Sequence, residues 1–192
     1  MVGDAQETRK RLLAAATEEF AERGIAGARV DRIAGMAGAN KAMIYSYFGN
    51  KEALFTAVFD AQVGTTLSTV PIDATDLPEY AGRLFDYYCG NPLINRLATW
   101  ARLERGSDAF QIQAIVDANL GKIAAIAAEQ DAGRLSRRFT APVLLLLILT
   151  TAGMWITAMP EYETVLSGED GIADPARRAI IVEAVRLLVE QR

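Results

Sequence analysis

Apolar side chains recur every three or four positions along almost the whole chain, and this spacing most strongly limits the possible folds. Leu12, Ala16 and Phe20 follow it near the beginning, and Leu54 and Val58 follow it further on. One face of an α-helix repeats with this period, whereas a half-buried strand would alternate apolar and polar residues. No stretch alternates in that way. The sequence therefore predicts an all-α fold, with about nine helices.

The composition removes most classes of enzyme. The chain contains no His, which excludes His-based catalytic triads, His proton shuttles and zinc sites that mix Cys with His. Its single cysteine, Cys89, cannot form an internal disulfide or a cysteine-only metal site. A glycine-rich phosphate loop is also missing. We therefore expect no catalytic residues, no metal and no cofactor, and a reducing, cytoplasmic location.

The first 64 residues divide into short helices separated by glycines. The first helix is predicted to begin near Asp4 and to end at Gly24, followed by a short helix over Val30–Ala37. Gly38 allows a tight turn, after which Asn40 is a suitable N-cap for a third helix that ends near Phe48. A fourth helix is predicted over residues 51–64. The segment from residue 65 to residue 78 is rich in Thr, Ser, Pro and Asp and is predicted to be irregular.

Two of these helices begin with the dipeptide Asn-Lys, at Asn40-Lys41 and at Asn50-Lys51. An ammonium group beside the positive end of a helix dipole is unfavourable by roughly 0.3 to 1 kcal/mol at an exposed site. The arrangement is understandable if each helix start receives an anion such as a DNA phosphate. The alternative is that both are exposed lysines without such a role.

The third helix presents a face that could contact DNA. Ile44 and Phe48 lie one turn apart and are predicted to pack inward. A helix of this length is about 12 Å long and can enter a major groove about 12 Å wide. The alternative that Tyr47 belongs to the core rather than to the DNA-facing side is kept. The residues predicted to face the DNA are Lys41, Ala42, Met43, Tyr45, Ser46 and Tyr47. The net charge of −4 argues against a nucleic-acid partner, but all of the excess negative charge lies after Gly64.

Residues 8–55 resemble the DNA-binding region of the TetR family of transcriptional regulators. The resemblance covers about a quarter of the chain and lies in Phe20-Ala21-x-x-Gly24, Ile33-Ala34, Ala37-Gly38, Tyr45-x-Tyr47-Phe48 and Lys51-x-x-Leu54. It implies a three-helix helix-turn-helix domain over residues 1–50, in which the third helix reads the DNA and Lys51 contacts phosphate. It also implies a ligand-binding and dimerisation domain over residues 51–192, linked through the helix at 51–64.

The sequence departs from the family pattern at three places. Arg29 stands where the family usually has a Ser or Thr that caps the second helix, so the cap must come from elsewhere and the guanidinium is free to reach phosphate. Ala39 replaces the usual Val in the turn. Ala42 and Met43 replace a common Gly-Thr pair, and Met43 could touch a thymine methyl group.

Further helices are predicted over residues 78–89, 93–105, 108–131, 141–159 and 175–191, and residues 161–173 are predicted to form a mobile surface loop. The uncharged run from Ala141 to Met159 is almost long enough to span a membrane. Pro142, Gly153 and the absence of a Lys/Arg cluster just beyond Met159 favour a buried helix. A helical membrane-associated or adaptor protein is the alternative interpretation.

The C-terminal part is predicted to supply a dimer interface and an effector site. Two recognition helices about 34 Å apart are needed to read two half-sites, so we expect a homodimer. Its interface is predicted to contain Leu145, Leu149, Ala152, Trp155, Ile156, Ile181, Ala184, Val185 and Leu188. A small, mostly apolar effector is predicted to contact Phe85, Tyr88, Trp100, Phe110, Asn119 and Leu147. Together these features predict a ligand-responsive regulator, and a repressor in particular, that binds double-stranded operator DNA.

Overall fold

A computed structural model describes residues 2–105, 113–158, 160–166 and 174–190, and every regular element within them is an α-helix. The all-α prediction is confirmed. The helices are α1 (Val2–Gly27), α2 (Val30–Met36), α3 (Lys41–Phe48), α4 (Lys51–Thr69), α5 (Leu77–Gly90), α6 (Pro92–Arg105), α7 (Gln113–Asp131), α8 (Ala141–Thr157), α9 (Pro160–Leu166) and α10 (Asp174–Val189).

The chain forms two compact units, and the first comprises residues 1–65 and 92–114. Its core is built from the apolar residues that the three-and-four spacing singles out, including Leu12, Phe20 and Leu54, all fully buried. The rings of Phe20 and Phe55 meet edge to face, with centroids 5.2 Å apart. Helix α6 packs against α1 within this unit, although it is far from α1 in sequence.

Helix α1 begins at Val2 rather than at Asp4 and changes direction at Gly24. Gly24 has φ +71°, a left-handed conformation that glycine adopts without the steric cost of a Cβ atom. The helical hydrogen bonding resumes for one further turn, to Gly27. The predicted break at Gly24 is therefore present as a kink, after which the chain enters the short connection to α2.

The second unit comprises residues 66–91 and 115–192. Its core is formed where α5, α8 and α10 pack on one another, together with Ile126 from α7. Helix α5 begins with Asp76 as its N-cap, whose carboxylate accepts a hydrogen bond from the backbone N–H of Glu79 at 3.1 Å. Gly82 allows α10 to approach closely, since a Cβ at that position would lie 3.0 Å from Val182.

Two segments differ from the sequence prediction. Helix α4 continues to Thr69, so the prediction of irregular structure from residue 65 is wrong for the first five residues. Thr65 is accommodated because its hydroxyl donates to the carbonyl of Ala61, one turn earlier, at 2.9 Å. The predicted loop at residues 161–173 contains α9, and its remainder lies outside the described residues.

Helix α8 corresponds to the uncharged run that raised the possibility of a membrane span. It is 17 residues long, and it buries Leu144, Leu145 and Ile148 in the core of the second unit. Among the described helices, none combines the length and apolarity required to cross a bilayer.

Candidate nucleic-acid interface

Helices α2 and α3 form the compact pair that the sequence predicts. The turn between them contains Gly38, with φ +60°, a value for which glycine is favoured. The backbone N–H of Ala39 donates to the carbonyl of Ala34 at 2.9 Å and closes the end of α2. Ile33 and Ile44 are fully buried, one on each helix. The two helices are therefore fixed to the first unit through one side only.

The opposite side of α3 is open to solvent. Lys41, Ala42, Tyr45 and Ser46 are exposed, and 46% of Tyr45 is accessible, a large fraction for an aromatic residue. Met43 and Tyr47 are half-buried at the edges of this face. The placement agrees with the predicted reading surface. Direct contact of these side chains with DNA stays a prediction.

Asparagine caps α3 and precedes the first turn of α4. Asn40 accepts a hydrogen bond from the backbone N–H of Ala42 at 2.9 Å, which confirms its predicted role as N-cap. Asn50 accepts from the N–H of Ala53 at 2.7 Å in the same way. The first turns of both helices are thereby held in place, which fixes where the adjacent Lys41 and Lys51 leave the backbone.

Lys41 is paired with an acidic residue of α2. Its Nζ lies 2.9 Å from one carboxylate oxygen of Asp31 and 3.0 Å from the other. The hydrogen bond to Asp31, reinforced by its charge, raises the pKa of Lys41. Asp31 thus offsets the unfavourable position of an ammonium group at a helix N-terminus. Sequence reasoning missed this pair because the two residues lie on different helices.

Lys51 makes two contacts within the protein. Its half-buried side chain donates from Nζ to the carbonyl of Ala26 at 3.2 Å and to that of Ala28 at 3.4 Å. These carbonyls lie where α1 ends and the chain turns toward α2. Lys51 therefore joins the beginning of α4 to this turn, and its contact with phosphate stays a prediction.

Arg29 is exposed at the beginning of α2, and its side chain makes no capping hydrogen bond. Its backbone N–H instead donates to Glu19 on α1 at 3.0 Å, and Arg32 approaches the same oxygen at 3.4 Å. Glu19 is only 1% exposed. The sequence predicted that another residue must secure this helix start, but no local signal pointed to Glu19, ten residues earlier. The guanidinium of Arg29 is free to reach phosphate, and that role stays a prediction.

Arg9 is another residue that sequence reasoning missed. It is exposed on α1, and its guanidinium lies over the ring of Phe48, 5.2 Å from the centroid. This distance is typical of a cation–π interaction. Arg9 therefore places a positive charge beside the C-terminal end of α3. The run Arg9-Lys10-Arg11 was the available signal in the sequence.

Two residues of α6 bind the kink of α1. The carboxylate of Glu104 accepts hydrogen bonds from the backbone N–H of Ile25 at 3.1 Å and of Ala26 at 2.6 Å. The indole N–H of Trp100 donates to the carbonyl of Ala21 at 3.2 Å. The segment that follows Gly24 is therefore held by α6 through Glu104 and by α4 through Lys51.

The residues predicted to bind an effector are divided between the two units. Phe85 is buried in the core of the second unit. Tyr88, Asn119 and Leu147 belong to the same unit and are half-buried. Trp100 belongs to the first unit, where it contacts α1. Phe110 lies outside the described residues. The effector site stays a prediction.

The residues predicted to form a dimer interface also fall into two groups. The core of the chain itself buries Leu145, Ala152, Ile181 and Val185. The half-buried members are Leu149, Trp155, Ile156, Ala184 and Leu188. The same helices expose other apolar side chains, including Leu146, Leu187, Val143 and Ile180.

A short helix pair with one open face, capped by Asn40 and bordered by basic side chains, defines a helix-turn-helix DNA-binding protein. Comparison with known proteins agrees. Residues 12–58 match the family profile described as bacterial regulatory proteins, tetR family. Residues 76–186 match the profile described as tetracyclin repressor-like, C-terminal domain.

Individual relatives extend the match to nearly the whole chain. The HTH-type transcriptional repressor SCO4008 of Streptomyces coelicolor is 36% identical over 92% of this chain and 94% of its own length. The crystal structure of the transcriptional regulator SCO4942 from the same organism has a TM-score of 0.82, at 37% identity, covering 96% of this chain and 99% of that one. The chain belongs to the TetR family of transcriptional regulators.

A more distant structure supports the fold alone. FadR from Bacillus subtilis, solved in complex with stearoyl-CoA, has a TM-score of 0.66 at 20% identity and covers 92% of this chain and 96% of that one. Family membership makes this chain a DNA-binding regulator rather than an enzyme, and the membrane-associated alternative is not favoured.

Proposed function

We propose that this protein is a transcriptional repressor that binds operator DNA as a homodimer and leaves it when a small effector binds. The observation that carries the proposal is the open face of α3, which presents Lys41, Tyr45 and Ser46 to solvent. Amines and hydroxyls of this kind bond to phosphate and to base edges in a major groove. Repression follows because a bound dimer excludes polymerase without needing any further surface. The protein would act in the cytoplasm, where its DNA lies.

Dimer formation is supported by the apolar side chains that α8 and α10 leave exposed. Leu146 and Leu187 are more than half exposed, and Ile180 is also accessible. Half-buried residues of the predicted interface, such as Leu149 and Leu188, lie on the same two helices. A second copy that packs its own α8 and α10 here would form a four-helix interface.

Release from DNA requires a link between the effector and the DNA-binding helices. The sequence suggested α4 as that link. We infer that α6 takes part as well, because Glu104 of α6 and Lys51 of α4 both bind residues 25–28. An effector that favours a different position of α6 would alter the support of α1 and, through Lys51, the beginning of α4. The change that the effector causes in the free energy of DNA binding equals the difference between its own binding free energies for the two positions of α6.

The test is selection of bound fragments from sheared genomic DNA of the source organism, followed by fluorescence anisotropy with the selected fragment. Tyr45→Ala and Lys41→Ala are expected to weaken binding at least tenfold. Arg138→Ala is the matched control, since Arg138 is an exposed cation of the second unit. Equal affinity of the α3 variants and the wild type would contradict the proposal. Sizing should give twice the mass of one chain.

A further inference from the structure

The guanidinium group of Arg9 is held against α3 by an aromatic ring. Its Cζ lies over the ring of Phe48, 5.2 Å from the centroid. Phe48 is half-buried, and its ring also meets the ring of Tyr47 edge to face, with centroids 6.3 Å apart. The ring that supports Arg9 is therefore itself held in place by the fold.

The contact with Phe48 leaves the hydrogen-bond donors of Arg9 unused. Within the described residues, this exposed side chain forms no hydrogen bond and no ion pair. The five N–H donors of its guanidinium group therefore have no oxygen acceptor in the part of the chain that the structure describes. An exposed cation–π contact contributes little to stability, so stability alone does not account for an arginine here.

Arg9 differs in this respect from the two lysines predicted to contact DNA. Lys41 is paired with the carboxylate of Asp31, and Lys51 donates to two backbone carbonyls. Both ammonium groups thus use part of their donor capacity inside the protein. The guanidinium of Arg9 is held in position by a ring and keeps its donors for a ligand, which suits it to binding an anion.

Arg9 lies at the end of a row of side chains that begins on the open face of α3. Lys41, Tyr45 and Phe48 follow one another at spacings of four and three residues, so they are neighbours along one side of the helix. Lys41 and Tyr45 are exposed. This row is about 12 Å long, close to the width of a major groove. Arg9 therefore places a cation near one border of the groove that α3 is predicted to enter.

The surface around Arg9 carries an excess of positive charge. An open groove beside α1 is lined by Gln6, Glu7, Arg9, Lys10 and Leu13. The two cations outweigh the single carboxylate of Glu7, so a phosphate is attracted to this surface. Gln6 adds amide N–H groups, which also donate to phosphate oxygens in protein–DNA complexes.

We propose that Arg9 contacts a phosphate of the operator beside the C-terminal end of α3, and that Phe48 is its positioning residue. The guanidinium donates two parallel N–H groups to the phosphate oxygens, a geometry that an ammonium group cannot reproduce. The ring of Phe48 orders the side chain before DNA arrives, which lowers the entropy lost on binding. A phosphate contact adds affinity and orients α3 without selecting a base sequence. The inference rests on the proposed function.

The experiment measures DNA binding by fluorescence anisotropy at several salt concentrations, with the selected fragment and with random DNA. Arg9→Gln should weaken binding to both DNAs by the same factor, roughly fivefold. The slope of log affinity against log salt should decrease by about 0.9 for each protomer bound, because each loses one phosphate contact. An unchanged slope, or a loss of affinity confined to the selected fragment, would overturn the assignment.

Arg23→Gln is the matched control. Arg23 is an exposed cation near the other end of the same helix, and it is paired with the adjacent Glu22. Its replacement should leave affinity and salt slope unchanged. An equal decrease in slope for Arg23→Gln and Arg9→Gln would show a general effect of charge and overturn the contact. Arg9→Lys should preserve the slope but lose affinity several-fold, since it lacks the planar donors.

A double-mutant cycle tests the role of Phe48. Phe48→Leu removes the ring but keeps an apolar side chain, and its melting temperature shows whether the fold is intact. In the wild-type background it should weaken DNA binding several-fold, because Arg9 is no longer ordered. In the Arg9→Gln background it should weaken binding no further. Equal losses in both backgrounds would show that Phe48 does not position Arg9.

Failure of this inference can be told apart from failure of the proposed function. If Tyr45→Ala loses affinity for the selected fragment while Arg9→Gln keeps the wild-type affinity and slope, the repressor function stands and the assignment of Arg9 fails. If no fragment is selected, the proposed function fails, and the salt slope of Arg9→Gln on random DNA still decides whether Arg9 contacts phosphate.

Discussion

The carboxylate of Glu104 accepts a hydrogen bond of 2.6 Å from the backbone N–H of Ala26, and so joins two helices that are almost 80 residues apart in the sequence. The same carboxylate accepts from Ile25, directly after the kink at Gly24. Charge-assisted hydrogen bonds of this kind are stronger than neutral ones. Residues of the central third of the chain thereby help to hold the end of α1.

Glu104→Ala should lower stability by about 1 kcal/mol, a small effect because the carboxylate is exposed. More diagnostic is the response to effector, because the variant removes one of the links between α6 and α1. We expect DNA affinity without effector to change little, and the effector-induced loss of affinity to fall several-fold. Anisotropy titrations with and without effector measure both quantities.

Glu22→Ala is the matched control, because Glu22 is an exposed carboxylate of α1 whose ion pair is with the adjacent Arg23. It should leave both quantities unchanged. A Glu104→Ala variant that responds to effector as the wild type does would show that this contact plays no part in release.

Gly24→Ala tests the kink itself. At φ +71° a Cβ atom is strained, and here it would also collide with Glu104 and lie 2.8 Å from the ring of Trp100. We expect a loss of stability of about 2 kcal/mol or more, measured by urea unfolding. Gly27→Ala is the control, since a Cβ at Gly27 would meet only the side chain of Arg23, at 3.5 Å. Equal stability of the two variants would contradict the role assigned to Gly24.

The predictions from sequence succeeded where the signal was local. The helical periodicity, the glycine in the turn at Gly38 and the N-cap Asn40 depend on residues close together in the chain, and the structure contains all three. Contacts between distant segments gave no such signal. Nothing near Glu19 or Glu104 indicates which backbone N–H groups they bind, since those donors are fixed only when α1 packs against its neighbours.

Which apolar residues are buried was predictable only in part, because burial also depends on contacts between distant segments. An apolar stripe on α10 does not by itself distinguish Ile181, which is fully buried, from Ile180, which is 43% exposed. The direction of packing decides between them. Gly82 permits the observed packing of α10, because its lack of a side chain leaves room for Val182 beside α5.

Asp31→Asn should change how strongly the protein discriminates between DNA sequences. Asp31 holds the ammonium group of Lys41 and places a negative charge beside the first turn of α3. Its neutralisation frees Lys41 for phosphate and should increase affinity for random DNA several-fold. The plot of log affinity against log salt should steepen by about 0.9.

The control for this prediction is Asp60→Asn, an exposed acidic residue of α4. It should leave the salt slope unchanged and raise affinity for random DNA by less than Asp31→Asn does. If Asp31→Asn lowers affinity for the selected fragment and for random DNA equally, Asp31 has a structural role rather than one in discrimination.

Lys51→Ala distinguishes a DNA contact from a purely structural link. The variant loses two hydrogen bonds to the carbonyls of Ala26 and Ala28, so stability should fall by about 1 kcal/mol. If Lys51 also contacts phosphate, affinity for every DNA sequence should fall and the salt slope should decrease by about 1. Lys51→Arg retains the charge and should preserve the slope. A Lys51→Ala variant that is less stable but keeps the wild-type slope would assign Lys51 to the link between α4 and α1 alone.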